Sequence, residues 1–397
     1  MAPSRTRVSV IVDSYPQSSQ TYISTEAQAL EEQFEVQILF GHRADLARRS
    51  CPPALGPLSS EREMRAAIDA FEPHVLHTHW THMVPRVHRL ARATGIPYTV
   101  RTHSFDTLST TLAAPGASVL SDLKRRLLGF GVTKRRGEGN RHRFPWELLE
   151  IARHPARARL PWVMLETAPL LNDPLCLGVV ALPFSRTNLE LAGVRPEKIF
   201  DCRPVVDFER FHDLSQNGSA VMNVGAALPK KRMQDFIELA RRMPERTFNL
   251  YPLGYRVEEL RQLNARYGNP ANILPMIAPE DMPAEYKKHE YLFYTFSWWE
   301  PRVGWPISVA EAQASGVGVL MANVRPDVAE FVGDAGYVFD SLGEAEQILR
   351  KPFPEEKRRA GFEQARKSDI RSHLPLLTDL WKKAIPRAES SRRSLRA

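Results

Sequence analysis

Short apolar runs alternate with amphipathic stretches along nearly the whole chain, and partway along the alternation starts again. This rhythm constrains the fold more than any other feature, because strands joined by helical crossovers form parallel sheets covered by helices. The runs RVSVIVD (7–13), FEVQILF (34–40), HVLHTH (74–79), PYTVRTH (97–103), LGVVALPF (177–184) and KIFDC (198–202) read as strands. A helix is predicted from Ser19 to Gln33 and another over 81–94, stopped by Gly95 and Pro97. The periodicity weakens over about 109–175. The second series begins with AVMNVG (220–225) and continues through FNLYPLG (248–254), NILPM (272–276), EYLFYTF (290–296), GVGVLMA (316–322) and GYVFD (336–340).

A chain of 397 residues exceeds one comfortable core and suits two. We expect a first α/β domain over 1–208, carrying the 109–175 insert, and a second over 209–370. The boundary is placed where Asp, Ser, Asn and Gly cluster near 208–218. HLPLLTDLWKKAI (373–385) is an amphipathic helix that must cover an apolar face, so 371–386 is assigned to a closing helix and 387–397 to a disordered basic tail. Two doubly wound sheets facing each other leave a cleft at the carboxyl ends of their strands, where such sheets bind ligands.

Charge and cysteine usage narrow the function classes. The formal net charge is +8, but the excess is local: eleven Lys or Arg stand against three Glu between Lys124 and Arg159. Within 124–162 these cations are mixed with Phe130, Phe144, Trp146 and Trp162, and three readings stay open. The segment is a peripheral contact for an anionic membrane, a site for an anionic polymer or lipid diphosphate, or a solvated loop. No nucleic-acid motif accompanies it, so nucleic acid is not expected. Cys51, Cys176 and Cys202 are scattered at no metal or redox spacing, which suits a reducing compartment. The N-terminus lacks a signal-peptide pattern, and the longest apolar run falls well short of the roughly 20 residues of a membrane helix. A soluble, cytoplasmic protein is the expectation.

The segment WWEPRVGWPISVAEAQASGVGVLMANVRPDVAEFVG (298–333) holds the most chemistry. A loop with Gly304 and Pro306 opens a helix, which puts Ile307 and Ser308 at an N-terminus where unpaired N–H groups favour an anion such as a diphosphate. Glu311 lies a turn further in, placed to accept from a vicinal diol such as a ribose; the plain alternative is a solvated acid near a helix start. In NVGAALPKKRMQDFIELA (223–240), Gly225 ends a strand and Lys231 follows a Pro, either as a phosphate-binding cation or as part of a solvated helix start.

These segments resemble the donor-binding signature of glycosyltransferase family 4, retaining enzymes of GT-B fold. Pro306, Glu311, Ala312, Ala314, Ser315 and Gly316 match the later part of its motif, and Gly225, Pro229 and Lys231 match the strand-to-helix segment. SYPQSSQTYISTEAQALEEQFEVQILFG (14–41), HVLHTHW (74–80), YTVRTHSFD (98–106) and LPFSRTNLELAGVRPEKIFDCRPVVDFERF (182–211) match more loosely. The resemblance covers about 300 residues and implies a GT-B fold with the closing helix returning to the first domain. It implies a nucleotide-diphosphate-sugar donor as substrate, no cofactor and, with no Asp-x-Asp motif, no metal. It places His103 beside the transferred sugar and the donor base near the backbone of Ile273 to Met276.

Two departures accompany the match. The first Glu of the family motif falls on Val303, so either Glu300 reaches the same place as a catalytic residue or that sugar contact is gone. The family Arg falls on Ala226, leaving one cation missing, for which Lys230 or Arg232 are the nearest substitutes. The implied activity is transfer of a hexosyl-type sugar to a glycan or lipid-linked acceptor in surface polysaccharide or glycoconjugate synthesis. An epimerase, a phosphorylase and a non-catalytic polysaccharide- or membrane-binding module remain as alternatives on the same fold.

Overall fold

The computed structural model describes residues 5–17, 20–43, 54–103, 106–108, 153–154, 156–157, 160–254, 256–297 and 304–382. The alternation resolves into two parallel sheets. The first contains β1 (Arg7–Ser14), β2 (Glu35–His42), β3 (Ala54–Leu55), β4 (Val75–His79), β5 (Tyr98–Arg101), β6 (Cys176–Ala181) and β7 (Ile199–Asp201), in the order β3-β2-β1-β4-β5-β6-β7. The second contains β8 (Ala220–Ala226), β9 (Phe248–Leu253), β10 (Asn272–Ile273), β11 (His289–Tyr294), β12 (Gly318–Ala322) and β13 (Gly336–Phe339), in the order β10-β9-β8-β11-β12-β13. Each sheet grows one way from its first strand and then resumes on that strand's other side. The switch points therefore lie between β1 and β4 and between β8 and β11, with a crevice at their carboxyl ends.

The strands are apolar on both faces because both faces are covered: Val8, Val10, Ile11 and Val12 are all buried. On one face of the first sheet, α1 (Thr21–Glu31) packs Ile23, Ala27 and Leu30 into a core of its own. The opposite face is covered by α2 (Glu61–Phe71), α3 (Val84–Thr94), α4 (Trp162–Leu171) and α5 (Arg186–Ala192), through Met64, Ile68, Val87, Leu90, Leu165 and Leu189.

Two of these pieces differ from the expected layout. Helix α4 lies inside the stretch assigned to an insert, yet Met164, Leu165, Ala168 and Leu171 belong to the first core. Its sequence, WVMLETAPLL, is nearly all apolar and contains Pro169, so it carries no amphipathic period to read. Helix α2 has a readable start: Ser60 Oγ accepts from the Glu63 amide at 3.2 Å and the Glu63 carboxylate accepts from the Ser60 amide at 2.9 Å, a reciprocal cap. The basic residues from Lys124 to Glu150 and the tail 387–397 lie outside the described residues.

The second sheet is covered by α6 (Phe208–Phe211), α7 (Met233–Arg242), α8 (Val257–Arg266), α9 (Met282–Tyr286), α10 (Ile307–Ala314), α11 (Asp327–Val332), α12 (Leu342–Leu349) and α13 (Glu355–Arg366). Their apolar residues form one continuous core with the strands. The last helix, α14 (Ile370–Lys382), crosses back onto the first sheet. It buries Ile370, Leu374, Leu377, Leu380 and Trp381 beside α1, the apolar face that its amphipathic pattern required and the return to the first domain that the resemblance implied. The outgoing and returning chains run side by side, with Val206 N donating to Ser368 O and Ile370 N to Val206 O, both at 2.9 Å. Among the described residues no helix is long and apolar enough to cross a membrane.

Candidate functional site

Between the strand ends of the two sheets lies a cleft of about 660 Å³, lined from both domains. Its second-domain wall is built at the β8/β11 switch point. Beyond β8 a single 3-10 turn, Pro229 to Lys231, leads into α7. This turn is pinned from β11's end, where Thr295 Oγ1 donates to Lys231 O at 2.6 Å and Ser297 N to Lys230 O at 2.8 Å. Lys231 Nζ packs 5.2 Å from the centre of the Tyr294 ring. A Cβ on Gly225 would stand 2.5 Å from Lys231 Nζ, and Gly225 has φ +134°, so a side chain there would displace the ammonium as well as strain the backbone. Among the described residues Lys231 makes no ion pair with a carboxylate.

Next to it, α10 points its N-terminus at the cleft. Its cap is Pro306, which has no N–H and supplies no side-chain bond, and its first turn has no acid. The Val309 amide closes back on Pro306 O at 3.1 Å, while the amides of Ile307 and Ser308 precede any intrahelical acceptor. Glu311 sits half-buried at the cleft one turn along and accepts from the Tyr286 hydroxyl at 2.8 Å. Burial pushes its carboxyl up to about 7, against the Tyr286 hydrogen bond and the Arg210 charge, which act to lower it.

The first-domain wall is different in kind. In the parallel register His77 lies beside Thr99 and His79 beside Arg101, and residues two apart on a strand share a face, so all four project together under α1 and α14. There they meet Glu26 of α1, which is 1% exposed. Its carboxylate lies 2.9 Å from His77 Nε2, 3.7 Å from His79 Nε2 and 2.5 Å from Arg101 Nε. Burial pushes the Glu26 carboxyl up, but Arg101 and the two histidines outweigh it and hold the group well below the usual range. His77 Nδ1 and the Trp381 indole both reach Thr99 Oγ1, at 2.8 and 2.9 Å. Arg101 also donates to the buried Cys202 thiol at 3.0 Å.

This network ends at the cleft on His103, whose Nε2 is 3.1 Å from His79 Nδ1 and whose ring lies 4.4 Å from that of Tyr22. Burial keeps both imidazoles neutral: His79 falls to about 3, and His103 falls well below its ordinary value, with His79 and Arg101 adding to the effect. The His103 amide donates to Asp106, which also accepts from the Thr81 amide. Trp80 closes this corner with φ +67°, a conformation rare for a bulky residue and held here by its packing against Tyr22 and His103.

Among the described residues, Glu26, His77 and His79 are the one group of metal-binding types within reach of a common ion. With Arg101 against the carboxylate, the group has its positive charge already, so the donor set does not fit a cation.

His103, Gly225, Lys231, Gly304, Pro306, Ile307, Ser308, Glu311 and Met276 all line the one cleft. Met276 is 54% exposed there, whereas Ile273 sits on β10 against the second core, away from the lining. Glu300 lies outside the described residues, as does Val303. Arg232, one of the two nearest substitutes for the absent cation at Ala226, is held by Asp235 at 2.6 and 2.7 Å. Sequence reasoning missed Glu26, Tyr22, Trp80, Arg101, Arg203 and Tyr286. The pairing of His77 with His79 at strand spacing was the readable signal for the first of these.

No family model and no curated protein matches the chain. Solved structures do. Anabaena HepE in complex with UDP and glucose superposes with a TM-score of 0.66 at 14% identity, over 96% of this chain and 100% of that one. Sucrose-phosphate synthase from Thermosynechococcus elongatus gives 0.64 at 12%, over 96% and 99%. AviGT4, a glycosyltransferase involved in avilamycin A biosynthesis, gives 0.56 at 14%, over 96% and 98%. At such identities the likeness is one of fold, and with the two facing sheets and the returning helix it shows that this chain has the GT-B fold of those glycosyltransferases.

Proposed function

We propose that the protein is a glycosyltransferase that moves a sugar from a nucleotide-diphosphate sugar to a hydroxyl of a glycan or lipid-linked acceptor. The observation that carries this reading is the second-domain wall: an ammonium without a carboxylate partner among the described residues, an uncapped helix N-terminus and a half-buried carboxyl, all opening on one cleft. Lys231 and the amides of Ile307 and Ser308 bind the diphosphate, and the Glu311 carboxylate accepts from the ribose diol. Donor-bound complexes of HepE, with UDP and with UDP-glucose, make a uridine diphosphate sugar the first donor to try.

As the bond from the anomeric carbon to the diphosphate breaks, negative charge gathers on the leaving phosphate. Fixed cations and dipoles aimed there stabilise that change more than the ground state. The new bond forms to the acceptor oxygen, whose proton passes to the departing phosphate. His103, neutral and tethered by His79 through Nε2, offers Nδ1 to a hydroxyl of the transferred sugar. Retention of configuration, independence of metal and membership of family 4 belong to the same reading, as do a cytoplasmic site of action and an anionic membrane contact through 124–162. Glu300 is proposed as a further catalytic group at the sugar.

The test is donor turnover by the purified protein, with and without Mg²⁺, and the anomeric configuration of the product by NMR. Transfer with retention, abolished in Lys231→Ala, is expected. Turnover that depends on inorganic phosphate, or sugar epimerisation without transfer, would replace the reading with another GT-B chemistry.

A further inference from the structure

At the proposed diphosphate site Ala226 stands where the resemblance puts an arginine; of the two nearest substitutes Lys230 lines the cleft and Arg232 is held by Asp235, so no guanidinium from this turn supplies the second positive charge. We infer that Arg203, which leaves the first domain just after β7, supplies that second positive charge to the donor diphosphate from across the cleft. The inference rests on the donor reading and extends it to a residue to which the resemblance gives no role.

Three observations converge on Arg203. It lines the cleft together with Lys231, Ile307 and Ser308. Its guanidinium stacks 5.1 Å from the centre of the Trp305 ring, and Trp305 immediately precedes the Pro306 cap of α10. That ring is itself fixed, stacked on Phe331 at 4.8 Å and donating to Asp327 at 2.8 Å. The guanidinium is therefore held on a rigid platform beside the helix N-terminus.

The third observation concerns hydrogen bonding. Arg203 Nη1 is buried and has no partner among the described residues. The side chain is 18% exposed, and its one ion pair among the described residues runs from Nη2 to Glu330 at 3.4 Å, on an acid that is 60% exposed. Such a pair contributes little. A buried guanidinium N–H without an acceptor is costly. Nη1 is enclosed in the empty cleft, so a turn of the guanidinium on the Trp305 face toward the α10 N-terminus would bring it to a phosphate oxygen and remove that cost, and a planar fork suits phosphate better than a point charge does.

The location adds a consequence. Lys231 and α10 belong to the second domain, whereas Arg203 is on the outgoing connection beside Val206. A diphosphate held by both would join the domains, so donor binding and the approach of the domains are coupled.

The test is calorimetric titration of the full-length protein with UDP, GDP and ADP in turn, and with the matching nucleoside, in Arg203→Ala, Arg203→Gln, Arg203→Lys and Lys231→Ala. Loss of a charge-assisted hydrogen bond predicts that Arg203→Ala and Arg203→Gln weaken the bound nucleoside diphosphate about tenfold or more, with the nucleoside unaffected. Arg203→Lys should recover part of the loss. Arg203→Gln keeps the length of the side chain, so it reads out the charge if the alanine variant folds poorly. Equal weakening of nucleoside and diphosphate would make Arg203 a packing residue and overturn the inference. A loss in Lys231→Ala with none in either neutral Arg203 variant would overturn it while leaving the donor reading intact. If no diphosphate binds the unaltered protein, the donor reading fails and takes the inference with it.

Discussion

The two sheets share one strand order about their first strands, yet their rims at the cleft are built on opposite principles. At the first rim the polar groups are largely spent on one another: Glu26 meets Arg101, His77 and His79, and the network reaches the cleft at Arg101 and His103. At the second rim Lys231, the α10 amides and Glu311 are placed by packing and leave their polar capacity for a ligand. A buried charge pair fixes geometry and makes the fold depend on it. A cation without a carboxylate partner gives the fold little and a bound anion much. On the proposed reading one rim positions and the other binds.

Substitutions should separate along this line. The largest effect is expected for Glu26→Ala, which leaves Arg101 buried without its counter-charge and costs about 3–5 kcal/mol in urea denaturation. Nucleotide affinity of the fraction that remains folded should be unchanged. If affinity collapsed while stability held, the division of labour between the rims would be wrong.

Lys231→Ala should do the reverse. Calorimetry should show nucleoside diphosphate binding weakened by about 1.5–3 kcal/mol, with unfolding stability within about 0.5 kcal/mol of the unaltered protein.

The pH dependence sharpens the contrast. Burial pushes Glu311 up to about 7 in the empty cleft, and its carboxylate accepts from both hydroxyls of a ribose diol more strongly than the protonated acid, which keeps one oxygen as a donor. Affinity for a nucleotide sugar should rise about tenfold per pH unit up to pH about 7 and level off above it. Glu311→Gln should bind more weakly and show no such rise.

The smallest effect is on stability. His79 is held near 3, below its unfolded value of about 6.5, so protonation favours the unfolded chain and stability falls as pH drops below about 6.5. Glu311, held above its unfolded value, acts in the opposite sense: its contribution is present at low pH and lost as pH rises toward 7. Denaturation at pH 5.5 and 7 should therefore show a steeper acid loss in Glu311→Gln, by about 1 kcal/mol.

Much of the fold was legible because both-face-buried strands and their helices write themselves as alternating runs. Every predicted strand overlaps an observed one, from RVSVIVD at β1 to GYVFD at β13. Helix α4 escaped because a helix apolar all round has no period, and β3, two residues long, is too short to show one. In the site, Gly225, Lys231, Pro306 and Glu311 were legible since each lies at a strand end or helix start, where local chain geometry sets what the residue can do.

The sequence by itself determined the two sheets, the loop that aims α10 at the cleft, and the shared face of His77 and His79, because each is a matter of period or of a few adjacent residues. Only the tertiary structure decided that Glu26 meets Arg101, that Tyr286 meets Glu311 and that Arg203 rests on Trp305. Those partners are separated by tens of residues or more, on different elements. Periodicity records which face of an element is buried, while the partner that covers it is chosen by strand order, register and the path of the chain between domains.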